Sequence, residues 1–122
     1  MDSHMILSIF HIFVVAPLFF AIAFFRNNLP PWAFYALIAL ALVLFAYQGY
    51  KWALRVSQGS VYAWVNAIHV LFVAPLLLYI GVNGSKTPTA AYELCAMTGF
   101  AVLGYHLYWL IKMIHTVPAS SN

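Results

Sequence analysis

Four long apolar stretches, at about residues 5–25, 32–54, 61–82 and 90–114, alternate with three short polar breaks. The breaks run from Arg26 to Pro31, from Ser57 to Ser60 and from Asn83 to Thr89. Crossing a hydrocarbon layer about 30 Å thick takes about 20 apolar residues in helical form, and each stretch is that long. Lipid offers no partner to an open backbone N–H or C=O, and the stretches lack the two-residue alternation of barrel strands, so helices are the reading. Pro30, Pro31 and Pro88 cannot continue the helix before them and suit the start of the next. Breaks this short imply antiparallel neighbours. The pattern therefore predicts an all-α integral membrane protein: one domain over residues 5–122, a four-helix up-down bundle.

The two halves align without a gap at an offset of 58 residues. His11, Val15, Ala16, Pro17 and Leu18 match His69, Val73, Ala74, Pro75 and Leu76. Pro30 matches Pro88, Ala33 matches Ala91, and the pair Tyr47 and Tyr50 matches Tyr105 and Tyr108. Apolar matches alone carry little in so biased a composition. Paired histidines, prolines and tyrosines at one constant offset carry more, and they predict a tandem duplication of a helical hairpin. Repeat one is about 5–58 and repeat two about 63–116. Each repeat has two spans, so both enter the membrane in the same direction, which implies a pseudo-twofold axis along the membrane normal.

Composition sharpens this picture. Of 122 residues, 66% are hydrophobic and only 6% charged, too few to coat a water-soluble domain. The five basic residues, Arg26, Lys51, Arg55, Lys86 and Lys112, are scattered at the ends of apolar runs. Nucleic-acid binding needs a cluster or stripe, so the partner is a lipid bilayer and no nucleic acid is expected. Lys51, Arg55 and Lys112 lie on the side of the termini, and Arg26 and Lys86 on the other; the positive-inside rule then puts both termini in the cytoplasm. The single cysteine, Cys95, excludes an internal disulfide or a CxxC redox pair. Phosphate loops, HExxH and G-x-S-x-G are absent, so no enzyme is expected. Residues 1–4 resemble a cloning remnant before a start at Met5. Beyond them the chain has one acid, Glu93, and four histidines.

Depth then selects a site. His11 lies six residues into the first span, about 9 Å at 1.5 Å per residue, and Gln48 lies as far from the end of the second. His69 and His106 repeat the arrangement. The expected site is one polar layer toward the termini side, made of His11, Gln48, His69 and His106 with Tyr47, Tyr50, Tyr105 and Tyr108. Ser8 and Asn66 extend it outward. Such groups are costly at depth unless they face protein, water or a ligand. Pro17 and Pro75, in mid-span, predict a matched pair of kinks. Glu93, near the start of the fourth helix, is read as a helix-dipole or capping residue. Gly49, Gly99 and Gly104 are candidates for close helix contact.

Three functions follow. The first is channel- or transporter-like handling of a proton, ion or small solute, since histidine exchanges protons near neutral pH. No carboxylate lies in the layer and there is no potassium-filter sequence. The second is a non-catalytic scaffold or accessory subunit, as a homo-oligomer or within a larger membrane complex. The third is cofactor binding: b-type haem between His11 and His69, or a transition metal on His11, His69 and His106.

Overall fold

The polar breaks and prolines end helices where the pattern requires. A computed structural model describes residues 3–120, with side chains described to residue 115; Met1 and Asp2 of the suspected remnant lie outside the described residues. Among the described residues there is no strand, and four helices are long and apolar enough to cross a membrane. They are α1 (Ser3–Asn28), α2 (Pro31–Ser57), α3 (Ala63–Lys86) and α4 (Thr89–Ser120), the last apolar over Thr89–His115. Each outruns its sequence-based limits by a few residues at one end or both, because short 3-10 turns, Arg26–Asn28 and Gly84–Lys86, carry α1 and α3 into the breaks.

The chain forms two compact units, one from residues 1–26 and 92–122 and the other from residues 27–91. The first pairs α1 with α4 and the second pairs α2 with α3. The units thus cut across the two sequence hairpins, each taking one helix from each hairpin. In the α1–α4 pair, Phe20 meets Phe100 edge to face at 4.8 Å, and Arg26 Nη2 donates to Glu93 Oε1. The order of these contacts makes the two helices antiparallel. Phe19, Ile22, Tyr92 and Cys95 are buried on this pair.

The α2–α3 pair closes through a tight turn. Gly59, at φ 67°, follows the end of α2; Ser60 N–H donates to the Arg55 carbonyl and Gly59 N–H to the Val56 carbonyl. These two bonds form a Schellman cap, which needs the left-handed residue that glycine supplies. Farther along, Gly81 lets the backbones touch: a Cβ there would lie 2.8 Å from the Phe34 carbonyl oxygen. Gly99 similarly sits against the Phe20 ring. A Cβ at Gly49 or Gly104 would meet nothing within 4 Å in this chain.

Both mid-span prolines follow a widened turn of the helix. Residues His11–Val15 and His69–Val73 form π-helical turns, and the N–H groups of Ala16 and Ala74 reach back five residues to the His11 and His69 carbonyls. Each widened turn ends just before its proline. Proline lacks an N–H and its ring clashes with the carbonyl four residues back; one added residue in the turn relieves both problems without breaking the helix. The 3-10 turns match as well: Arg26 has φ 52° and ψ −128°, and Gly84 has φ 57° and ψ −133°. Glycine reaches that conformation freely, whereas an arginine there is strained. Arg26 is held in place by its Nε on the Ala23 carbonyl at 2.8 Å and by Glu93.

Candidate functional site

Gln48 and Arg55 are seven residues apart, two helical turns, and so share a face of α2. That face meets α3 at Asn66, which is only 4% exposed. Asn66 Nδ2 donates to Gln48 Oε1 at 2.6 Å, and Arg55 Nη1 donates to Asn66 Oδ1 at 2.9 Å. The result is a polar thread, Arg55 to Asn66 to Gln48, inside an apolar helix pair. Each link uses the one geometry open to it: a guanidinium only donates, while an amide both donates and accepts. His69 lies one turn beyond Asn66 on α3.

The α1–α4 pair carries His11 and His106 of the expected site. The His11 and His106 rings stack at 4.2 Å between centroids, 25° apart in plane. Ser8, one turn before His11, is fully buried. Within the pairs, His11 meets His106 and Gln48 meets Asn66.

One feature is common to both halves. His11 Nδ1 lies 2.8 Å from the Leu7 carbonyl oxygen, and His69 Nδ1 lies 2.7 Å from that of Val65. A carbonyl only accepts, so Nδ1 must carry the proton in both rings, and the basic lone pair of the neutral ring is at Nε2. Each histidine also opens a π-turn, a local widening often found at functional sites.

Of the four tyrosines, Tyr105 meets the adjacent His106 ring edge to face at 5.2 Å. Tyr47, Tyr50, Tyr105 and Tyr108 are all exposed. Successive helical residues differ by about 100°, so a helix that turns Gln48 or His106 inward turns the adjacent tyrosine, and the one two residues on, away. On α4, Tyr105 and Tyr108 adjoin Trp109, with Lys112 Nζ 5.5 Å from the Tyr108 ring centre and 5.3 Å from that of Trp109. This is an aromatic and cation–π cluster of the kind suited to an interface. Glu93 is more than a dipole residue, since it holds Arg26.

Among the described residues no three His, Cys, Asp or Glu side chains come together to hold a metal ion. Sequence reasoning missed Arg55, counting it only as a topological charge, and treated Asn66 as peripheral. The seven-residue spacing from Gln48 was the available signal for Arg55. Comparison with protein-family models, with curated proteins and with solved structures finds no match to this chain.

Proposed function

We propose that the chain is an integral multi-pass membrane protein, built by tandem duplication of a helical hairpin, whose polar layer handles a proton, ion or small ligand as a channel or transporter does. One observation carries the reading: two histidines 58 residues apart open the same π-turn and fix the same tautomer. Duplication is further supported by Arg26 and Gly84, which adopt the same unusual backbone conformation at the same offset. Under that offset α1 corresponds to α3 and α2 to α4, so each compact pair contains one helix of each kind. His106 then corresponds to Gln48 and Ser8 to Asn66. The polar layer occurs twice with different chemistry, imidazole stacked on imidazole in one pair and an amide thread in the other. Both termini are assigned to the cytoplasm by the positive-inside rule.

A neutral imidazole with its Nδ1 proton held by a carbonyl can take a second proton at Nε2 and return it, which suits a proton path. The test is flux. Purified protein is reconstituted into liposomes enclosing a pH-sensitive dye, and a proton gradient is imposed; sodium, potassium and chloride gradients follow. Wild type is expected to dissipate the proton gradient faster than protein-free liposomes. The double variant H11F/H69F, with unchanged elution and helicity, is expected to lose most of that excess. The reading fails if wild type passes no proton or ion above the protein-free rate, or if the variant matches it. Absorption of the same sample tests haem on His11 and His69: a Soret band that shifts on reduction would replace the permeation reading.

A separate observation supports a second reading, a non-catalytic subunit of a homo-oligomer or larger complex. Only 17–33% of each apolar span is buried, and Phe13, Phe24, Trp32, Tyr35 and Phe100 point outward. Lipid alone can cover these faces. Native mass spectrometry would favour the subunit reading if the protein leaves its micelle as a stable multimer.

A further inference from the structure

We propose that the end of α2 is a binding site for an anionic phosphate group, held by Arg55 and Lys51. Arg55 lies in the last turn of α2, half-buried, with one N–H fixed on the buried Asn66. Asn66 is fixed in turn by Gln48, so the guanidinium is preorganised and most of its five donors remain for a ligand. Lys51 is one turn earlier on the same face and is also half-buried. Two like charges at this spacing repel and weaken a helix. Among the described residues the one acid, Glu93, is held by Arg26. Among the described residues neither Arg55 nor Lys51 has an ion pair. The carbonyl end of the helix offsets part of this charge, and the remainder calls for an anion.

Length indicates the level at which it would bind. Twenty-seven residues of α2 span about 40 Å, longer than a hydrocarbon core of about 30 Å. The last turns of α2 therefore reach the layer of lipid phosphates, where basic pockets between helices bind headgroups. Asn66 is a positioning residue and does not touch the ligand. The proposal shares the membrane reading but not the flux reading.

The experiment is binding in neutral maltoside micelles, measured by native mass spectrometry and by thermal stability. Three additions are compared: phosphatidylglycerol, phosphatidylcholine as a phosphate-bearing control of no net charge, and inorganic phosphate. Wild type is expected to retain phosphatidylglycerol and not phosphatidylcholine. R55Q and K51Q are expected to bind it about tenfold more weakly or worse, the scale of one or two charge-assisted hydrogen bonds. K86Q, on another helix, is expected to behave as wild type. K51Q lies outside the Asn66 thread, so it remains informative if R55Q fails to fold. Retention of phosphatidylglycerol identifies a lipid headgroup as the source, whereas stabilisation by inorganic phosphate alone identifies a soluble one. The proposal is overturned if wild type binds neither, or if folded R55Q and K51Q bind as wild type does. Because no flux is read, a protein that binds the anion but passes nothing separates this proposal from the permeation reading.

Discussion

Alanine at position 81 tests the α2–α3 contact at its closest point. The added Cβ would lie 2.6 Å from Ile38 Cγ1, 2.8 Å from the Phe34 carbonyl oxygen and 3.0 Å from the Ile38 nitrogen. Carbon atoms pack comfortably at about 3.5–4.0 Å, so the helices must move apart by several tenths of an ångström. The Ile38 side chain can rotate, but the two backbone atoms cannot. Overpacking of this kind costs about 1–3 kcal/mol. The better helix propensity of alanine returns about 0.5–1 kcal/mol. The net loss is about 1–2 kcal/mol, a factor of roughly 5–30 in the ratio of folded to unfolded protein. The same change at Gly49 meets nothing within 4 Å, which leaves only the propensity gain. The assay is unfolding by sodium dodecyl sulfate in maltoside micelles, followed through the fluorescence of Trp52 and Trp64, which lie on α2 and α3. G81A is expected to unfold at lower detergent fraction than wild type, and G49A at the same fraction or higher. If G81A is as stable as G49A, the two helices do not meet at Gly81 and the pairing is wrong.

Two further outcomes follow from the same geometry. R26G and R26A both lose the Glu93 ion pair, but only glycine relieves the positive φ; R26G is expected to exceed R26A by about 1 kcal/mol in the same unfolding assay, and equal stability would remove the strained conformation. The Asn66–Gln48 bond is expected to give a coupling of about 0.6 kcal/mol, and no more than about 1.7, in a double-mutant cycle of N66A and Q48A; additive effects would mean the bond is not made.

The four spans were legible because polar residues and proline punctuate an otherwise continuous apolar chain. Short breaks pointed to antiparallel neighbours, and α2 and α3, joined by one of them, do pack together. The α1–α4 pair was not legible, because no break joins those helices and most positions of each are apolar, so lipid-facing and helix-facing residues look alike in sequence. The depth of His11, Gln48, His69 and His106 was readable from residue counts, since helical rise is constant. The contacts across each helix pair, His11 with His106 and Gln48 with Asn66, needed the helix partners as well as the depth. The prolines announced a disturbance at Pro17 and Pro75 but not its form, because a kink and a π-turn both answer a missing N–H. Tyr47 and Tyr50 were grouped with Gln48 by depth alone, although their angular positions already turned them away.

The proposed duplicated site requires His11 and His69 to do the same thing in the two pairs. Nitrogen-15 magnetic resonance of histidine-labelled protein in lipid bilayers reads the proton position on each ring, with the H11F and H69F variants assigning the signals. Both rings are expected to carry a proton on Nδ1 with the hydrogen-bonded shift there, and each variant is expected to remove only its own signal. An Nε2–H tautomer at either position would break the equivalence and, with it, the duplicated site.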